Sequence, residues 1–163
     1  MFTRALLSAA AIGTFASAQS DDTKAKYKEW AAIIGVWGYD WEAHEVVTAD
    51  GYTLTLMHVT KKSGILEDDV NKNLPPVLVQ PPMGSSPHSW LEIDLMPTPV
   101  QTPMLLKLKD AGHDLWFTYS RGTDYSTKHA QYAYDSKEFW NFSWEEEGVG
   151  DIQAALTYVN ANT

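Results

Sequence analysis

The sequence predicts an α/β fold, in which one antiparallel hairpin is followed by buried strands that alternate with helices. Three observations carry this. Asp50-Gly51 separates two strand-like runs, residues 44–48 and 52–60, and a tight primed turn favours that dipeptide because it needs positive φ. Pro76-Val77-Leu78-Val79-Gln80 and residues 114–119 are short continuous apolar runs, suited to strands buried on both faces. Residues 104–111 between them read as a helix closed by Gly112. That strand–helix–strand order belongs to a sheet with helical crossovers.

Length and composition bound the rest. The 163 residues are the size of one ordinary domain. With 44% hydrophobic and 20% charged residues, the chain has a folding composition. The formal net charge of −9 disfavours nucleic acid and anionic membrane surfaces as partners, since both repel such a surface. The absence of cysteine excludes a disulfide framework, thiol catalysis and Cys-based metal sites. Seven Trp and eight Tyr point to large apolar contact area, in a core or around an apolar ligand.

From the N-terminus, Arg4, the apolar residues 5–16 and Ala16-Ser17-Ala18 have the order of a secretory signal peptide cleaved after Ala18. The apolar stretch is too short for a membrane span. The expected location is therefore secreted, or the lysosomal or endomembrane lumen, with residues 19–163 as the mature domain. Asp21 and Asp22 can cap a helix in which Ala25, Tyr27, Trp30, Ala31, Ile33 and Ile34 recur at helical spacing. Gly35 and Gly38 end it. Residues 61–74 read as a surface loop, and its Glu67-Asp68-Asp69 run lacks the alternating ligands of a calcium loop. Thr102 is placed to cap the central helix, with Pro103 at its first position. Ser136 can cap a helical stretch through Glu138-Phe139-Trp140. A last helix, residues 151–159, carries Ile152, Ala155, Leu156 and Val159 on one stripe.

Several motifs resemble a known family. Trp37-Gly38-Tyr39, Glu42, Glu45-Val46-Val47-Thr48 and Asp50-Gly51-Tyr52 are followed in order by Trp90, by Ala111-Gly112-His113-Asp114-Leu115-Trp116 and by Ser120-Arg121-Gly122. Glu138-Phe139-Trp140, Phe142-Ser143 and Asp151 complete the set. The ordered set, over about residues 27–160, resembles the N-terminal part of the gastric and lysosomal acid lipases. The resemblance implies a partial α/β-hydrolase fold, made of an N-terminal hairpin plus the first parallel strands and crossover helices. It also implies a neutral lipid or ester substrate and no cofactor. The family's chemistry uses a serine on a G-x-S-x-G strand-to-helix turn, then an acid and a histidine. The resemblance places that turn after the helix at 151–159, and the 163 residues contain no G-x-S-x-G. No catalytic triad is therefore assigned, and the chain alone is expected to be inactive.

One near-match is Gly84-Ser85-Ser86-Pro87-His88, which differs from the elbow at its last position. Pro87 disfavours a helical Ser86, so a polar loop is the favoured reading and Ser86 is kept as a subsidiary nucleophile candidate. The resemblance puts this loop where the family has His-Gly and an apolar residue whose N–H binds the oxyanion. Here Pro81-Pro82 stands in place of His-Gly, and Met83, which keeps its N–H, is the oxyanion-hole candidate. His44, His58, His113 and His129 have no metal-ligand spacing. Asp151 and His129 can be drawn as an acid–base pair, but an Asp at a helix start explains Asp151 without it. Asn141-Phe142-Ser143 is a glycosylation sequon. The alternatives to a lipase region are a non-catalytic secreted half-fold that binds lipid or protein, and a small esterase using Ser86. If the strand at 77–80 lacks its family neighbour, its open edge invites self-association.

Overall fold

The computed structural model describes residues 20–62, 73–91 and 102–163. The signal peptide, the Glu67-Asp68-Asp69 run and most of the loop predicted at 61–74 lie outside the described residues. Two helices lead, α1 (Asp21–Lys26) and α2 (Lys28–Val36), followed by the hairpin β1 (Tyr39–Val47) and β2 (Tyr52–Lys62). Then come β3 (Val77–Val79), α3 (His88–Leu91), α4 (Met104–Asp110), β4 (Leu115–Tyr119) and the short β5 (Lys128–His129). The C-terminal helical segment is α5 (Trp144–Glu146), a π-helical turn (Glu147–Asp151) and α6 (Ile152–Asn162).

The sheet order is β1-β2-β4-β3, with β5 beside the turn end of β2. β1–β2 and β2–β4 are antiparallel, and β3–β4 is the parallel pair, joined through the segment that holds α3 and α4. This is the predicted α/β architecture. At the hairpin, Gly51 takes φ +98° and donates its N–H to the Thr48 carbonyl at 3.0 Å. The Thr48 hydroxyl accepts from Tyr52 N at 2.9 Å, so side chain and backbone close the turn together.

Alternation along the strands divides the core into two layers. Met57, Val59, Leu115, Phe117 and Tyr119 meet Trp30 and Ile34 of α2, Leu91 of α3 and Leu106 of α4 on one face. Leu54, Leu56 and Trp116 meet Ala155 and Val159 of α6 on the other. Helices thus cover both faces of the central strands. Trp30 is fully buried, with its ring 5.3 Å from Phe117, while its indole N–H meets no acceptor among the described residues.

Several sequence expectations are corrected. Ser20, not Asp21 or Asp22, caps α1, accepting from Thr23 N; the two acids fill the first turn, where they favour the helix dipole. The single helix expected there is broken at Tyr27, which lies between α1 and α2. β2 runs on to Lys62. β3 is three residues long, and Val77 and Leu78 are only half-buried because β3 has one neighbour among the described residues. Pro103 is the N-cap of α4 rather than its first residue, and Thr102 is outside the cap. Ser136 does accept from Phe139 N at 3.2 Å, but the stretch forms turns, not a helix. The last helical segment begins earlier than predicted, at a capping box in which Ser143 and Glu146 bond reciprocally. Asp151 lies inside that segment, and Leu156 points to solvent while Ala155 and Val159 pack inward.

Candidate functional site

Parallel strands in an open α/β sheet present ligands at their carboxyl ends. Here β3 and β4 run side by side, so Gln80 and Ser120 emerge together: Gln80 Nε2 donates to Ser120 Oγ at 2.6 Å, and Thr118 Oγ1 donates to Gln80 Oε1. The Pro81–His88 loop leaves from this edge. Ser85 N donates to the Pro82 carbonyl at 3.0 Å, which folds Met83 and Gly84 into a tight exposed turn. Met83 is 58% exposed, and among the described residues its N–H meets no acceptor. Ser86 follows at the mouth of α3, where its carbonyl accepts from Ser89 N at 3.2 Å and Ser89 Oγ at 2.9 Å. The two sequence-predicted residues of this loop therefore lie on one short segment.

His88 shares the loop but faces inward. Its Nε2 is 2.9 Å from Tyr119 Oη, and its ring stacks with Trp30 at 6.4 Å. Burial pushes the Tyr119 hydroxyl well above its ordinary range, so it is a neutral partner at all physiological pH values. Among the described residues, no hydrogen bond joins a histidine to Ser86 Oγ. A serine without an adjacent base is a weak nucleophile.

A buried ion cluster anchors the neighbouring turn. The Arg121 guanidinium reaches Asp151 through Nε at 2.9 Å and Nη2 at 2.6 Å, and Asp50 through Nη1 at 2.7 Å. Arg121 N also donates to Asp151 Oδ2 at 3.1 Å, and the guanidinium lies 4.0 Å over the Tyr52 ring. Burial works to lower the Arg121 pKa, but the bonds and charges of Asp151 and Asp50 outweigh it and raise it. The cluster ties the hairpin turn, the end of β4 and the C-terminal helical segment together. Gly122 follows with φ +78°, and a Cβ there would stand 2.7 Å from Trp140 Cζ3. The acid–base pair drawn from sequence does not form: Asp151 is held by Arg121, while His129 Nε2 donates to the Asp50 carbonyl at 2.9 Å. His113 Nδ1 meets the Pro75 carbonyl at 3.0 Å. Asn141 is exposed, and the Ser143 of its sequon is engaged in the capping box.

The linear spacing of His44 and His58 carries no ligand pattern, yet the hairpin register brings both beside Glu42. The usable signal is geometric: residues two apart on β1 share a face with the β2 residue opposite.

The comparisons with known proteins place this architecture. A family model described as a partial alpha/beta-hydrolase lipase region matches residues 30–93. That span holds the hairpin, β3 and the Pro81–His88 loop. Similar proteins include Lipase member J of Homo sapiens, 36% identical over 134 residues, which is 80% of this chain and 34% of that protein. Triacylglycerol lipase 2 of Arabidopsis thaliana is 32% identical over 134 residues, 82% of this chain and 31% of that protein. Gastric triacylglycerol lipase of Rattus norvegicus is 34% identical over 131 residues, 80% and 31%. These matches support a likeness to the N-terminal part of the acid lipases. The chain spans about a third of the length of these relatives.

Proposed function

We propose that this chain is the N-terminal lipase region of a lipid-ester hydrolase, with triacylglycerols or sterol esters as the substrate class. It supplies the sheet, the crossover and the oxyanion loop, but no catalytic serine elbow. The observation that carries this reading is the parallel β3–β4 edge with the exposed Met83 turn, within a chain that is lipase-like over four-fifths of its length. In a complete site, Met83 N–H donates to the oxyanion, and Pro81-Pro82 stiffens the loop. The experiment is a graft. Residues 20–163 replace the matching region of a gastric lipase relative, and tributyrin hydrolysis is measured. Measurable turnover in the graft, lost in a variant lacking the relative's own serine, supports the reading. A soluble, folded graft with no turnover counts against it.

The same proposal covers location and association. Cleavage after Ala18 delivers the chain to the secretory lumen, and N-terminal sequencing of exported protein checks it. Asn141 is the sugar acceptor there, which an endoglycosidase mass shift tests. Self-association is supported by the edge of β3, which has no second neighbour among the described residues, and by exposed Val47, Trp144 and Val149. Light scattering across a concentration series tests this; a monodisperse monomer at every concentration refutes it.

A further inference from the structure

We propose that Glu42, His44 and His58 form a binding site for one zinc-class divalent cation on the α6 face of the hairpin. Glu42 and His44 stand two apart on β1 and so project from one face of the pleat. The register sets Glu42 directly opposite His58 on β2. Glu42 Oε2 lies 3.5 Å from His44 Nε2 and 4.0 Å from His58 Nδ1, and the three ligating atoms all fall within 4.8 Å of one another. Ligands around tetrahedral zinc, with bonds of about 2.1 Å, stand roughly 3.4 Å apart. Closing the shell shortens these separations by up to about 1.4 Å, a movement that side-chain rotation of both imidazoles and the carboxylate can share.

The other nitrogen of each ring is already occupied. His58 Nε2 is 2.6 Å from Asp114 Oδ1, and Asp114 Oδ2 accepts from Trp116 Nε1 at 2.8 Å. His44 Nδ1 is 2.9 Å from Tyr158 Oη of α6. The His58 ring also lies flat on the Trp116 indole, 4.0 Å away with 3° between planes. This is the arrangement by which outer partners orient metal-binding imidazoles and raise their basicity. Asp114 Oδ1 accepts from His58 Nε2, which leaves Nδ1, the nitrogen on the Glu42 side, to coordinate. His44 Nε2 is buried and faces Glu42 Oε2 at 3.5 Å, the outer limit of a hydrogen bond. A cation placed between the three satisfies all of these atoms together.

Two nitrogens and one carboxylate select a borderline metal such as zinc over magnesium or calcium, which prefer oxygen shells. The side chains of Glu42, His44 and His58 are 29%, 21% and 13% exposed, so the cup opens on the Glu42 side and water completes the coordination. The ion would join β1 to β2 directly and reach α6 through Tyr158. This site is independent of any ester chemistry.

The test uses tag-free mature chain stripped of metal, titrated calorimetrically with zinc chloride and with magnesium chloride. One equivalent of zinc is expected to bind, with little heat from magnesium. At a hundredfold excess of zinc over Kd, Tm is expected to rise by roughly 5–10 °C. His44→Ala and His58→Ala should each weaken binding by at least about tenfold, Tyr158→Phe by a smaller factor, and His113→Ala not at all. Glu42→Gln keeps the side-chain shape and guards against misfolding of the histidine variants; tenfold weaker binding supports the site. Imidazole NMR signals of His44 and His58, not His113, should move with zinc. No binding by the wild type, wild-type affinity in Glu42→Gln, or equal binding of magnesium overturns the proposal.

Discussion

Replacing Asp151 with alanine should be among the most destabilising single changes in this chain. The Arg121 side chain is fully buried and Asp151 is 2% exposed, whereas Asp50 is 46% exposed. Asp151→Ala removes the acceptor of Arg121 N, Nε and Nη2. It leaves a buried guanidinium whose remaining counter-charge, Asp50, sits at the surface. Removing one partner of a buried pair costs about 3–5 kcal/mol. Asp50→Ala removes bonds that water can partly replace, so its cost is about 1–1.5 kcal/mol. At roughly 3–4 °C per kcal/mol for a chain of this size, Tm falls by about 10–15 °C in the first case and by about 3–5 °C in the second. Urea unfolding followed by tryptophan fluorescence gives both values. A loss in Asp50→Ala equal to or larger than that in Asp151→Ala would refute the claim that the Asp151 side is the dry, structural half of the cluster.

Three further predictions concern the scaffold. Gly122→Ala combines a positive φ with a Cβ pressed into Trp140, and should cost about 2–4 kcal/mol in the same urea assay; an effect below 1 kcal/mol, on the same scale, contradicts the close approach. Trp30→Phe keeps an aromatic ring against Phe117 and removes an indole N–H that has no acceptor. It should cost under about 1.5 kcal/mol where Trp30→Ala costs about 3–5, and equal losses would show that the N–H is satisfied. Stability should also fall on both sides of an optimum in pH. For Asp50, burial works upward, but the bonds from Arg121 and Thr48 win and hold it below 3.8. Its contribution is complete above pH 3.8 and is lost as pH falls through the lower folded value. For Glu147, burial and then the Asp151 charge raise it above 4.5, so its contribution is complete below 4.5 and is lost as pH rises through the higher folded value. Glu147→Gln should therefore raise the urea midpoint on the neutral side and leave the acid side unchanged; a fall on the neutral side contradicts this.

Local signals in the sequence locate the hairpin and the four main strands, because each is encoded within a few residues. Asp50-Gly51 needs only its own turn, and the apolar runs at β3 and β4 need only burial. Elements that depend on a distant partner are not legible in this way. β5 is two residues long and exists because it pairs with Tyr52 and Thr53. The Arg121 cluster joins residues 30 and 71 positions apart, and nothing near any of the three acids or bases marks the link. The break at Tyr27 arises where its ring turns inward against Trp41 and Tyr125, a tertiary demand that overrides helical spacing. The loop with Met83 and Ser86 is visible as a motif, but its position at the carboxyl edge of a parallel pair follows only from the sheet order.

The central proposal is that these 163 residues supply a lipase-like scaffold and hold no G-x-S-x-G serine elbow themselves. The most direct measurement is hydrolysis of short- and long-chain p-nitrophenyl esters by purified mature chain, run beside its Ser86→Ala variant. The account predicts no turnover above buffer for either protein, since no base is hydrogen-bonded to Ser86 among the described residues. Ester turnover that co-purifies with the chain and disappears in Ser86→Ala would contradict it and make this a small esterase.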